Sequence, residues 1–171
     1  MDHDGNGDGF MDMPKLRQYN LMHRWAYVSP RWISQLMLRG LHDERNGGQS
    51  RKHSAASSEP LYTTTVKTNR YEALWKNGFT LNADHNTSVA LMLHGSWHDA
   101  DNMFGRTEYD VTQKNGYAQL MFETDITEHH NLSVGASLNH DYYDERFNPL
   151  GALAKAESTV SKETTPGVYA Q

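Results

Sequence analysis

The sequence predicts an all-β protein, folded as an antiparallel meander of about seven long strands. Two observations point there. Apolar residues recur at every second position, the period of a strand with one greasy face, and short turns alternate with long polar connections. A third is a weak internal repeat: HNTSV at 85–89 returns as HNLSV at 130–134, and KNGF at 76–79 as KNGY at 114–117. The repeating unit is a hairpin of two long strands, whereas a propeller blade of similar period would need four.

Taken in chain order, strands are expected near 15–28, 32–43, 69–81, 87–98, 115–126, 131–143 and 167–171. The first two flank the turn SPR, with Trp25, Tyr27 and Trp32 close to it, and the third carries Tyr71 and Phe79 into the turn NADHN. The fourth, SVALMLHGSW, puts Val89, Leu91, Leu93 and Trp97 on one face and Ser88, Ala90, Met92, His94 and Ser96 on the other. The fifth, GYAQLMFET, sets Ala118, Leu120 and Phe122 against Tyr117, Gln119, Met121 and Glu123. It leads through TEHH into the sixth, NLSVGASLNHD, where Leu132, Val134, Ala136 and Leu138 alternate with Ser133, Gly135, Ser137, Asn139 and Asp141. The seventh ends the sequence. The remaining connections, DERNGGQSRKHSAASSEPLYTTTVKTN, DADNMFGRTEYDVTQKN and DERFNPLGALAKAESTVSKETTP, are long and polar. Every second connection is therefore long, which predicts long loops projecting from one side.

Composition removes several function classes. The 171 residues suffice for one domain or for part of something larger, and a net charge of -5, from 16 Lys+Arg against 21 Asp+Glu, offers no concentrated basic face for nucleic acid. Cysteine is absent, so thiolate zinc sites and a cysteine nucleophile are excluded and any metal must use oxygen or imidazole ligands. The longest clean apolar run, Val89 to Leu93, is far short of the roughly 18 residues of a membrane helix. The opening MDHDGNGDG lacks the basic end and apolar stretch of a signal peptide, leaving either a cytoplasmic protein or a piece whose beginning lies elsewhere. No G-x-S-x-G, H-E-x-x-H, P-loop or dinucleotide fingerprint is present, so no catalytic residues are assigned and an enzyme is not expected.

Strands of about ten residues with one apolar and one polar face, joined by short turns at one end and long loops at the other, are the signature of a transmembrane β-barrel. The pattern is also compatible with a soluble calcium-stabilised β-sandwich serving as a carbohydrate-binding or adhesive module. In a barrel, aromatics sit near headgroup level: Trp25, Tyr27, Trp32 and Phe79 lie beside short turns, Tyr71 and Trp97 toward the other end. The run MDMPKLRQYNLMHRWAYVSPRWISQLMLRGLHDERNGGQS, with NRYEALWKNGF, LHGSWHDADNMFG, YDVTQKNGYAQLMFETD and the closing TTPGVYAQ, resembles the barrel region of TonB-dependent outer-membrane receptors of the Bacteroidetes type. The resemblance implies a 22-stranded barrel with an N-terminal plug, importing a scarce ligand such as a siderophore, cobalamin or oligosaccharide across the outer membrane with energy from the TonB complex. The chain matches about a third of such a barrel and shows neither plug nor TonB box, so residues 14–171 are expected to be a barrel segment, contacting the TonB complex only through a missing N-terminal part. The resemblance also turns Glu72, Lys76, Gln119, Glu123, Asn139 and Asp141 toward a polar, plugged lumen.

Residues 1–13 form an acidic, calcium-type loop. From Asp4 it reads D-x-N-x-D-G-x-x-D, with Asp4, Asn6, Asp8 and Asp12 as side-chain ligands, Gly9 at the sharp turn and Phe10 offering its carbonyl. Hard oxygen donors at alternate positions suit calcium. Lys15 stands where an EF-hand has its bidentate glutamate, so the closing carboxylate is expected from elsewhere: Asp99, Asp101, Asp141 or Asp144. A solvated acidic turn is the competing reading. The pairs His42-Asp43, His98-Asp99 and His140-Asp141 read as polar caps where strands meet loops, and His129 and His130, being adjacent, face apart rather than sharing an ion.

Overall fold

The computed structural model describes residues 4–50, 60–149 and 155–171. Asp2 and parts of two of the long connections lie outside the described residues. Seven strands follow one another: β1 (Lys15–Val28), β2 (Trp32–Gly48), β3 (Thr63–Asn82), β4 (Thr87–Phe104), β5 (Thr107–Thr127), β6 (His130–Pro149) and β7 (Glu157–Ala170). They form one antiparallel sheet in the order β1-β2-β3-β4-β5-β6-β7, each strand paired with its sequence neighbours. Among the described residues β1 and β7 do not pair, so the sheet is an open meander, as an arc of a barrel would be. The two-sheet sandwich is not the arrangement adopted.

The alternation seen in the sequence places the strands correctly but understates their length. β2, β4 and β6 run on past the expected ends, and β3, β5 and β7 begin earlier, at Thr63, Thr107 and Glu157. DADNMFGRTEYDVTQKN is not a long loop: it is the distal part of the β4–β5 hairpin, closed by Gly105 and Arg106 alone, with Gly105 at φ 63°. Positive φ is what a tight two-residue hairpin turn requires and what glycine adopts without steric cost. The hydrophobic period ends near residue 98 because both faces become polar there, while the backbone ladder continues through polar pairs. Thr112 Oγ1 donates to Asp99 at 2.8 Å, Asn148 Nδ2 to Glu108 at 2.9 Å and Thr65 Oγ1 to Asn46 at 2.9 Å. β7 passes through Pro166, which an edge strand tolerates.

The His-Asp pairs are likewise not caps. They lie inside β2, β4 and β6, which continue well beyond them. Their members do face apart, and His42 Nδ1 donates to Asn69 Oδ1 at 2.7 Å while His140 Nδ1 lies 2.8 Å from Thr164 Oγ1.

The sheet is a single layer and has almost no core. Ala100 is the one buried hydrophobic residue among those described, while Leu21 is 75% exposed, Leu120 53% and Val168 87%. Exposed apolar residues on this scale need a covering that no described part of the chain supplies.

Candidate functional site

Strand pairing without slips over the central part of the sheet arranges residues in rows, and the members of a row share a face. One row reads Leu21, Gly40, Tyr71, Trp97, Lys114, Tyr142 and Lys162; a second, toward the short turns, reads Trp32, Phe79, Val89, Phe122, Val134 and Ala170. Three rows lie between them, centred on Gly95, Leu93 and Leu91, and none contains Asp, Glu, Lys or Arg. Tyr71 to Phe79 is eight steps along β3, about 26 Å at strand spacing, or about 20 Å after a barrel-like tilt. Stacked rings mark both borders, Tyr71 on Trp97 at 5.5 Å and Trp32 on Phe79 at 5.8 Å, with Tyr27 against Trp32 at 4.8 Å. The face is an uncharged band between two aromatic borders.

The opposite face is polar over the same rows. The register places Glu72, Lys76, Gln119, Glu123, Asn139 and Asp141 together there, opposite the Val89, Leu91, Leu93 set, as the alternation predicts. Glu72 takes Arg70, a short contact, and Arg39 at 3.5 Å, while Asn115 Nδ2 donates to Asn139 and Asp141 at 2.8 Å each. Arg70 and Glu72 pair along β3, and the other contacts run between neighbouring strands.

The internal repeat divides. Asn86 and Asn131, equivalent in HNTSV and HNLSV, donate to the two oxygens of Asp125 and lock adjacent short turns together. These bonds, Asn131 first, hold the Asp125 carboxyl below the usual carboxylate range. The KNG copies face opposite ways: Asn115 lies on the polar face, but Asn77 lies within the apolar band, 6% exposed. Trp32 Nε1 donates to Asn77 Oδ1 at 3.3 Å, and Asn77 Nδ2 is buried with no partner among the described residues.

Of the calcium set, Asp4, Asn6, Asp8 and Asp12 fold back on the loop's own backbone. Asp4 accepts from Gly7 N at 2.7 Å and Gly9 N at 3.1 Å, Asp12 from Gly5 N at 2.7 Å and Asp8 from Phe10 N at 2.8 Å. Asn6 Oδ1 accepts from Asp8 N, and its Nδ2 donates to Asp8 Oδ2 at 3.0 Å. Gly9 takes φ 87°, as its place at the turn predicts. The loop docks on the distal end of β2, where Phe10 bridges Gln49, Met11 N donates to Gly48 O and Ser50 N to Gly9 O. Among the described residues no three Asp, Glu or His side chains are gathered as a metal group. The expected closing carboxylates are not brought to the loop. Asp99, Asp101 and Asp144 line a recess of about 190 Å³ with Asp110, Thr112 and Arg146, beyond the Tyr71–Trp97 border, and Asp141 faces the other side.

That recess was not legible in the sequence, since its acids are dispersed over three strands and meet only through register. Burial, and then Asp101 and Glu108 nearby, push the Asp110 carboxyl above its ordinary range. Compared with known protein families, with curated proteins and with solved structures, the chain matches none of them.

Proposed function

We propose that this chain is an arc of a transmembrane β-barrel in the outer membrane, belonging to a receptor of the TonB-dependent kind that binds a scarce ligand at the cell surface and imports it. The observation that carries the membrane part is the uncharged band between two aromatic borders, about as tall as the apolar belt of a bacterial barrel. Lipid covers that band, and the opposite face, with its Arg39–Glu72–Arg70 cluster and its asparagine ladder, lines a wet interior. The short turns then lie on the periplasmic side and the strand extensions reach outward. Receptor and import roles rest on the resemblance of the sequence segments, and the cargo is a small molecule or oligosaccharide.

Calcium orders the loop at Asp4, Asn6, Asp8, Phe10 and Asp12 in this proposal. The donor set is all hard oxygen, which fits the ion, and binding would replace the Asn6 Nδ2 contact on Asp8 Oδ2. The ion supplies positive charge that offsets repulsion between the loop's carboxylates.

The lack of native cysteine makes the membrane part directly testable. Single cysteines at Leu91, Leu93 and Met92 are spin-labelled in phosphatidylcholine vesicles and exposed to a lipid-soluble and a water-soluble quencher. Labels at 91 and 93 should respond to the lipid-soluble quencher and the label at 92 should not. Equal responses at 92 and 93 would end the barrel reading.

A further inference from the structure

We propose that the apolar face carries a binding site for one lipid with a phosphate-bearing headgroup, formed by Lys114, Tyr142 and Lys162 above a shallow groove at Ala118 and Ala136. The site rests on the barrel reading. Lys114 pairs directly with Tyr142, and Tyr142 with Lys162, so the three stand side by side on β5, β6 and β7 in the border row of Tyr71 and Trp97. The two ammonium groups lie 5.5 Å and 5.7 Å from the same Tyr142 ring centroid.

Among the described residues neither lysine has a carboxylate partner. Two acids stand one row outward of Lys114 on the same face: Asp99 accepts from Thr112 Oγ1 at 2.8 Å, and Asp144 accepts through Oδ2 from the Tyr142 hydroxyl at 3.3 Å and lies 3.9 Å from Arg146. Two cations on one ring, at the depth where lipid headgroups meet the apolar layer, offer an anionic headgroup a pair of ammonium partners on the membrane side of the aspartate-lined recess.

Below Lys114 the sheet surface is bare, while His140 and Thr164, bonded to each other at 2.8 Å, stand below Tyr142 and Lys162. Gly95 pairs with Gly116, and a side chain built at Gly116 would meet nothing within 4 Å. The strip continues at Ala118 and Ala136, where an open groove of about 230 Å³ runs between Leu91, Leu120 and Leu138. From Lys114 to Ala118 is four steps, about 13 Å, which an acyl chain spans while its phosphate rests between the ammonium groups. The groove supplies apolar contact and the lysines supply the charge, a combination that selects an anionic lipid over a zwitterionic one.

The test places the complete barrel protein of which this chain is an arc in phosphatidylcholine vesicles containing a trace of spin-labelled phosphatidylglycerol or spin-labelled phosphatidylcholine, and reads the motionally restricted fraction of each. The wild type should prefer the anionic label, and Lys114→Gln with Lys162→Gln should weaken that preference about 30-fold at low salt, the equivalent of about 1 kcal/mol per lysine. Lys76→Gln, on the polar face, should change nothing. Ala118→Leu, which fills the groove and leaves both lysines, should lower the restricted anionic fraction. A wild type that enters the vesicles but restricts both labels alike overturns the lipid site alone. A wild type that does not enter phosphatidylcholine vesicles overturns the barrel reading, and the site with it.

Discussion

A single charge at Leu93 separates a lipid-facing wall from any other arrangement of this sheet. Leu93 stands four residues from Trp97 at one border of the uncharged band and four from Val89 at the other, about 13 Å from each along β4. Its row partners are Trp75 and Ala118, and the row holds no group able to neutralise an added charge. Leu93→Arg therefore puts a guanidinium at the midplane, where an arginine on the lipid face of a barrel costs about 2 to 4 kcal/mol. Met92→Arg introduces the same side chain one residue away, on the face of Lys76 and Gln119, where water solvates a long side chain and lets it turn from Lys76, so the cost should stay below about 1 kcal/mol. Reversible urea unfolding in lipid vesicles, followed by tryptophan fluorescence, measures both. At an unchanged slope the Leu93 variant should lose the larger amount by at least about 1 kcal/mol, a difference set by depth in the lipid-facing scale. Equal losses, or a larger loss at Met92, would refute the assignment of faces to lipid and water.

Three further outcomes are expected. Asp8→Ala removes the carboxylate that holds Phe10 N and should weaken calcium binding at least tenfold by titration calorimetry while leaving the β-sheet circular dichroism intact; unchanged affinity would exclude the loop as the site. Asn77→Leu removes a buried donor that has no partner among the described residues together with the acceptor of Trp32 Nε1, so the two effects offset and stability in vesicles should stay within about 1 kcal/mol of wild type, whereas a loss above about 2 kcal/mol would mean that Nδ2 is satisfied in the membrane. The Asp125 carboxyl is held below its unfolded value by Asn131 and Asn86, so its contribution is present above about pH 4 and is lost as pH falls through the lower folded value. Asn131→Ala should accordingly destabilise at pH 7 and have little effect near pH 2; equal effects at both would show that the Asn131 contact does not depend on the charge.

Strand identity, order and the segregation of faces were determined by the sequence alone. Val89, Leu91 and Leu93 on β4, and Leu132 through Leu138 on β6, alternate so regularly that a one-residue slip would invert the whole face. Local chemistry also set the short turns and the turn at Gly9, whereas the backbone hydrogen bonds that Asp4, Asp8 and Asp12 accept appear only in the folded loop. Where the apolar period stopped, sequence reasoning stopped too, and residues 99–115 read as loop because polar strands carry no burial signal. Only long-range pairing decided that they form a hairpin. Pairing likewise turned the two KNG copies to opposite faces, gathered Asp99, Asp101, Asp110 and Asp144 from three strands, and set Lys114 and Lys162 on either side of Tyr142. The physical reason is common to all of these: alternation assigns a residue to a face within its own strand, but which residues become neighbours across that face depends on inter-strand register, and register belongs to the sheet as a whole.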